Sequence, residues 1–551
     1  MNRLSGRTGA IHRLSQLTRE NVSVEPRQKS QAVTELEEKI RSILALRDLT
    51  LSQASRLLQT RYGHSSPYFV PHNFYYDLRG GSYSPSIHQL VALSRITGYR
   101  LEDWLQVFGA SLESILRLQM MLPSRRTILL DSLAADSYAW VPWFENQASN
   151  RTATQVAPLG QMLRLSGHRQ IGSFRANRSR FVYAKIGSQD TLAFPDLVPG
   201  SIVRVNTHIA DEMVPKAGAA SHRYFLIEHS KGLFCCRLRS LGDSALVPVS
   251  TKLAYAQVEL ERPHEARLIG VADLELRPLF KFDLPTVPKD LARQWKPQPL
   301  SEQMQIGPLL RHSRLNMGMS FREVSGVSRK IAGILNDDRY FVSPSSLCDY
   351  ELLNTPPRRL QTAISLCSVY GLLCRSFFKA MDIALDEAGT EPLPDHLIAR
   401  RPRLEHTRSS SEATHRSGFL EQLLEQCEEI PFFLRQSLAP LSGLKDPSLD
   451  DFFWIGGTQD VLHPYLANGL LAIVNRRHKR PVHFASRMLC QQPMYVLLKR
   501  DGTYLCACCG IEDDALVVHP YSKDFHHADV FRYHRDVEVV GQVVMVARKL
   551  V

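Results

Sequence analysis

The chain of 551 residues carries 67 Lys and Arg against 55 Asp and Glu, a formal charge of +12, with 44% apolar and 22% charged side chains. That length predicts three to four domains of roughly 100–200 residues each, and the composition excludes a disordered or fibrous chain. No run approaches the ~18 uninterrupted apolar residues of a membrane-spanning helix, and the N-terminus is polar and basic, so a cytoplasmic protein with no membrane partner is expected.

Residues 1–30 place Arg3, Arg7, Arg13, Arg19, Arg27 and Lys29 against Glu20 and Glu25, which predicts a disordered basic tail, either lying along nucleic acid or simply solvated. A helical module follows over 31–112. Leu36, Ile40, Ile43, Leu44 and Leu46 recur at helical spacing, and Thr50 is a candidate N-cap for LSQASRLLQTRYG. PHNFYYDL predicts a short third helix opened by Pro71, and PSIHQLVALSRITGY and LEDWLQVFG complete five. Over 155–282, short β-branched runs separated by Gly, Asp-Gly or Pro turns predict a mostly-β domain.

After a linker at 283–300 the outline repeats. A second helical module spans 301–385, with Ser320 and Glu323 in capping-box spacing. A Pro-, Ser- and charge-rich stretch, 386–418, predicts a flexible linker, and a second mostly-β domain occupies 445–551.

The two β segments are copies. GSQDTLAFPDLVPGSIV (187–203) returns as GTQDVLHPYLANGLLAIV (457–474), and RYFLIEHSKGLFCCRL (223–238) as PMYVLLKRDGTYLCAC (493–508). SALVPVSTK (244–252) matches DALVVHPYSK (514–523), and EARLIGVADLELRPL (265–279) matches VEVVGQVVMVARKL (537–550). Four matches in one order indicate an internal duplication. The expected fold class is α+β multidomain, with two all-α five-helix domains alternating with two mostly-β domains.

The motif LRHSRLNMGMSFREVS, the later DYE at 349–351 and Pro357 make the helical modules resemble the Cro/C1-type (XRE) helix-turn-helix family. The resemblance implies that the third helix of each module enters the DNA major groove. In the first module Val70, Phe74 and Leu78 share one face, leaving His72, Asn73, Tyr76 and Arg79 as candidate DNA contacts; Asn suits adenine and Arg guanine. In the second, Val342, Leu347 and Tyr350 form the expected core face. Ser345, Ser346 and Asp349 then point outward, and Arg358 and Arg359 are candidates to hold the DNA backbone. The stretch between helices two and three is longer than that family's tight turn.

The β copies resemble the LexA-like peptidase fold of phage and SOS repressors, in which a serine nucleophile is activated by a neutral lysine. Here Thr191 and Arg237 stand at those positions in the first copy, and Val461 and Ala507 in the second. A guanidinium stays protonated and cannot act as the base, and valine and alanine have no such chemistry, so no enzyme activity is expected. Ala388-Gly389 resembles the dipeptide such repressors are cut at, and is read as coincidence.

All ten cysteines lie at or beyond Cys235. Cys506, Cys508, Cys509, His519, His526, His527 and His534 lack paired metal-site spacing, and no phosphate-cradling glycine motif is present, so no cofactor or metal is expected. The reading is a sequence-specific DNA-binding transcriptional regulator, a repressor, built as a fused pseudo-dimer. Its expected partner is double-stranded DNA, with possible self-association through the β domains. The alternatives are a protein-interaction adaptor and a self-processing repressor peptidase.

Overall fold

A computed structural model describes residues 26–71, 85–110, 113–130, 138–142, 156–158, 181–208, 220–241, 244–249, 258–279, 299, 304–383, 388–394, 396–397, 427–431, 451–455, 470–481, 493–519 and 529–550. It is a mixed α+β chain with ten α-helices and a large antiparallel sheet among these residues. The chain divides into two compact units. One holds Met1–Ser111, Arg358–Leu360 and Ala384–Arg403; the other holds Leu112–Pro357, Gln361–Ile383 and Leu404–Val551.

In the first unit lie α1 (Pro26–Ala45), α2 (Leu51–Tyr62), α3 (Ile87–Thr97) and α4 (Leu101–Val107). Helix α1 starts inside the stretch expected to be a disordered tail, with a proline suited to its first turn. Thr50 caps α2 in a capping box with Gln53, and Ser86 caps α3 in the same way with Gln89. Ile40, Ile43, Leu44, Leu58, Leu90 and Trp104 are buried. Leu46, expected on the apolar face, is 49% exposed, because α1 ends at Ala45 and the helical period stops with it.

Part of the stretch predicted as a flexible linker is docked in this unit. The Arg100 amide donates to the Glu391 carbonyl (2.8 Å) and the Glu391 amide to that of Gly98 (3.0 Å). The Gly389 amide donates to Ser94 Oγ (2.9 Å), and the Leu393 amide to Asp103 Oδ2 (2.7 Å). Leu393 and Leu397 supply buried anchors that outweigh the polar composition. The approach requires glycine, since a Cβ on Gly389 would lie 2.2 Å from the Gly98 carbonyl carbon. Gly389→Ala is therefore expected to release this segment. Amide exchange at Arg100 and Glu391 should accelerate tenfold or more, corresponding to about 1.4 kcal/mol of lost local stability, with no change in the second unit.

The second unit opens with α5 (Glu113–Met121), then β1 (Ile128–Leu129), β2 (Tyr138–Pro142), β3 (Ala157–Pro158), β4 (Phe181–Lys185) and β5 (Ile202–Asn206). β6 (Ala220–His229), β7 (Gly232–Ser240), β8 (Ala245–Val249), β9 (Leu260–Glu261) and β10 (Ala266–Pro278) complete the first β module. The second helical module comprises α6 (Ile306–Asn316), α7 (Phe321–Leu335), α8 (Pro344–Leu352), α9 (Leu360–Tyr370) and α10 (Cys374–Ala380). The strands β11 (Cys427–Pro431), β12 (Phe452–Ile455), β13 (Leu470–Asn475), β14 (Met494–Lys499), β15 (Tyr504–Glu512), β16 (Ala515–His519), β17 (Asp529–Arg532) and β18 (Val537–Lys549) follow. β2 and β11 pair apart from the main sheet.

The main sheet runs β17-β16-β15-β14-β18-β10-β6-β7-β8-β9, and its two halves are register-for-register copies. β10 takes β5 on one stretch and β6 on another, with irregularities at 272–274 and 268–270. β18 takes β13 and β14 in the same way, with irregularities at the corresponding places. Gly270 and Gly541 correspond: a Cβ would lie 2.4 Å from the Asn206 carbonyl oxygen in one and 2.6 Å from that of Asn475 in the other. Even the outer strands match. β1 pairs with β4 and β3 with β12, while Thr127 bridges Leu233 and Val156 bridges Tyr504. Residues 156–158, expected in the first β domain, thus complete the second. A two-residue strand carries no period that could have assigned it to either.

The copies meet through β10 and β18, which pair antiparallel with Glu275 opposite Arg548, Leu276 opposite Ala547 and Arg277 opposite Val546. Since Arg277 and Arg548 hold corresponding positions, a pseudo-twofold axis passes through the Leu276–Ala547 pair. The exchange is reciprocal. The Leu279 amide donates to the Val544 carbonyl (3.1 Å) and the Leu550 amide to that of Asp273 (2.9 Å). Leu279 then joins the core of the second module, and Leu550 that of the first.

The second helical module is docked onto the segment before β1. Arg125 Nη1 donates to the Gly318 carbonyl (3.0 Å), Arg126 Nε to that of Asn316 (2.8 Å), and Gln119 Nε2 to that of Leu372 (3.4 Å).

Candidate functional site

The reader expected in the second helical module is α8. Ser320 and Glu323 form the predicted capping box on α7, and Asn336 closes that helix with a left-handed backbone (φ 51°). The long connection to α8 is a packed turn. A 3-10 helix (Asp338–Tyr340) buries Tyr340, and Ser328 Oγ accepts from the Val342 amide at 3.0 Å. Ser343 caps α8 by accepting from the Ser346 amide (3.1 Å), with Pro344 in the first turn.

Val342 and Leu347 are buried as expected, whereas Tyr350 is half-buried. Ser345 and Asp349 are exposed, and Ser346 is half-buried, with its hydroxyl 2.9 Å from Ser343 Oγ. Arg358 and Arg359 are exposed, and the Arg359 backbone bridges Ser86 within the first unit. His72, Asn73, Tyr76 and Arg79 lie outside the described residues. The sequence alone missed the clamp that orients α8: Arg314 grips the buried Glu351 with two bonds of 2.8 and 2.9 Å. It also missed the exposed pair at the helix end, Leu352 at 67% and Leu353 at 68%.

The second site is the loop carrying Thr191. Its amides pair with the docking segment: Ser188 donates to the Ser124 carbonyl (2.9 Å), Gln189 to that of Arg125 (2.8 Å), and Gly187 to Thr127 Oγ1 (3.1 Å). Asp190 Oδ2 accepts from Thr127 Oγ1 (2.5 Å) and from the Cys235 amide (2.9 Å). Burial pushes its carboxyl up to about 7, although Thr127, the Cys235 and Leu192 amides and Arg126 all favour the carboxylate. Thr191 is buried, and its hydroxyl has no hydrogen-bond partner among the described residues.

Arg237 is engaged elsewhere, donating to Asp196 Oδ2 (3.0 Å) and Tyr224 Oη (2.8 Å), while Tyr224 donates to Asp196 (2.5 Å). Burial, reinforced by Asp196, raises the Tyr224 hydroxyl above its ordinary range. No hydrogen bond joins Arg237 to Thr191 among the described residues. The buried Lys185 is not a free base either: its Nζ donates to the Gln119, Met120 and Leu122 carbonyls (3.2, 2.8 and 2.8 Å) at the end of α5. Trp454 holds the corresponding backbone position in the second module, opposite Leu471 as Lys185 is opposite Ile202.

The second-copy assignment needs one correction. Arg237 pairs with Tyr224, and the corresponding pair is Cys508 with Met494, so Cys508 and not Ala507 corresponds to Arg237. The β14–β15 turn is one residue longer than the β6–β7 turn, which shifts the strand against its copy. Val461 lies outside the described residues. Burial raises the Cys506, Cys508 and Cys509 thiols above their usual range, and no group of three or more metal-ligating side chains occurs among the described residues.

No single helix among the described residues is long and apolar enough to cross a membrane. No protein-family model matches the chain, and no curated protein matches it.

Proposed function

We propose that the chain is a sequence-specific DNA-binding transcriptional regulator, a fused pseudo-dimer of two helix-turn-helix modules joined through β modules without proteolytic activity. The observation that carries this reading is the reciprocal β10–β18 contact, with Leu279 and Leu550 exchanged between the cores. Such a contact is isologous, the kind a symmetric homodimer uses, and here one chain supplies both sides. The role of the β modules is then to hold two unlike readers. The buried Thr191 hydroxyl and the engaged Arg237 guanidinium support a loop that has become a structural clamp. The backbone of Gly389 is itself docked, which disfavours cleavage after Ala388.

Selection from random duplex DNA tests the proposal. The expected site is asymmetric and binds one chain. Two identical inverted half-sites with a chain on each would contradict the fused-dimer reading. Removing both Arg358 and Arg359 by alanine substitution should weaken binding on every sequence alike and reduce the salt slope by about 1.8, at about 0.9 per phosphate contact. The exposed Leu352 and Leu353 favour a second reading, a protein-interaction adaptor, which would show neither sequence preference nor a steep salt slope.

A further inference from the structure

The strand β13 ends in a turn that both β modules share. Asn475 Oδ1 accepts from the Arg477 amide (3.0 Å), just as Asn206 Oδ1 accepts from the His208 amide (3.1 Å). The fold therefore needs the asparagine and not the side chains after it. In the first module the turn begins Thr207-His208; in the second it reads Arg476-Arg477-His478-Lys479-Arg480, and all five residues are exposed. The duplication preserved the turn, and only the second copy carries the charge.

Two of the four permanent cations lie near a carboxylate. Arg476 lies 3.7 Å from Asp451 and Lys479 lies 3.7 Å from the exposed Glu538, distances at which a surface pair contributes little. Arg477 and Arg480 have no carboxylate partner among the described residues. The neighbouring hairpin extends the surface. Tyr533 Oη donates to the Lys479 carbonyl (3.2 Å), its ring lies 3.8 Å from that of His534, and the exposed Arg535 follows. The Arg500 amide donates to the Asp536 carbonyl (3.1 Å), which brings the β14–β15 turn alongside. Acids also lie in this region: Glu538 is 3.7 Å from Lys479 and Asp536 is 3.7 Å from Arg532, and the exposed Asp513 and Asp514 sit beside Tyr533, whose amide donates to the Asp514 carbonyl (3.4 Å). The result is a ridge of exposed cations on the turn that follows β13, beside one tilted aromatic pair.

We infer that this ridge, centred on Arg477, Lys479 and Arg480, is a contact for the phosphate backbone of duplex DNA, separate from the helical readers. The inference rests on the DNA-binding reading above and adds to it a sequence-independent grip on one side of the pseudo-dimer. Flexible, exposed, weakly paired cations exchange condensed counterions for phosphates at little cost in intramolecular energy. These cations lie on an exposed turn and not on a helix of the kind expected to enter a groove, so the ridge is assigned affinity and not specificity.

The test is the full chain carrying R477Q, K479Q and R480Q together, assayed on the selected duplex and on a scrambled one across a salt series. Expected are a salt slope shallower by about 2–3 and about tenfold weaker binding to both duplexes at low salt, at about 0.9 in slope per lost contact. The ratio between the duplexes should not change, and R477Q or R480Q alone should each move the slope by about 0.9. An unchanged slope with wild-type DNA binding intact overturns this inference and leaves the DNA-binding reading standing. If the wild-type chain binds neither duplex at low salt, both fall. Vesicles containing phosphatidylserine provide the competing arm. If the triple variant loses vesicle binding but keeps the DNA slope, the ridge faces an anionic membrane and the inference is wrong.

Discussion

Replacing Glu275 with leucine is expected to destabilise the second unit by about 3–5 kcal/mol, the usual cost of stripping one partner from a buried ion cluster. Glu275 and Arg277 are fully buried and paired at 3.0 Å, and Arg548 reaches the same carboxylate from the other β module at 2.5 Å. Ser201 Oγ adds a bond of 2.7 Å, and both guanidiniums also donate to the Asp196 carbonyl. Without the carboxylate, two cations face each other across the pseudo-twofold axis with one carbonyl between them. Denaturant midpoints read by circular dichroism measure the effect, and a loss under about 1 kcal/mol would show that the cluster is incidental. Converting Arg277 and Arg548 to methionine in the same variant should restore most of the loss, because well-packed apolar groups can replace a whole buried ionic group. Burial alone would raise the Glu275 carboxyl, but Arg277, Arg548 and Ser201 reverse this and hold it below its ordinary value. Its contribution is present above the ordinary glutamate range and is lost as pH falls through the depressed value.

Asp190 should show the opposite pH dependence. Its folded carboxyl titrates at about 7 against an ordinary 3.8, so the folded chain binds the proton more tightly than the unfolded one. Stability from this group is complete below the ordinary value and declines as pH rises to about 7. The total is on the order of 4 kcal/mol, at about 1.4 kcal/mol per pH unit, and more than half of it falls between pH 5 and 8. The groups facing it are Thr127, Arg126, and the Cys235 and Leu192 amides, with the thiols of Cys235 and Cys236 behind; both thiols are pushed up by burial and stay neutral. Asp190→Asn removes the titration while keeping an acceptor for Thr127. Unfolding midpoints at pH 5 and 8 should differ less in the variant than in the wild type by most of that amount. Parallel profiles for the two proteins would refute the assignment.

The duplication and most helix starts were legible in the sequence because they depend on local chemistry. Ser320 with Glu323 is a capping box that needs no tertiary context, and the ordered matches from Gly187 onward survive in the strand registers. What the sequence concealed depends on partners far along the chain. Nothing local tells that Ala157 pairs with β12, that Leu550 enters the other core, or that Gly389 lies against Gly98. One extra residue in a turn moved Ala507 off the position of Arg237. For the candidate readers, the exposure of Ser345 and Asp349 followed from the expected core face. Ser346 did not, because its hydroxyl serves the cap of its own helix.

The β10–β18 contact also sets a timetable for synthesis. β10 is complete at Pro278, and the strand that covers it begins only at Val537. At about 5–20 residues per second the ribosome needs roughly 13–50 s to deliver that partner. Throughout that interval the nascent chain displays an unpaired edge bearing Glu275 and Arg277, side chains that are fully buried in the finished protein. Their charge makes the waiting edge a poor template for stray strands, so the same residues that join the halves protect the first half until the second arrives.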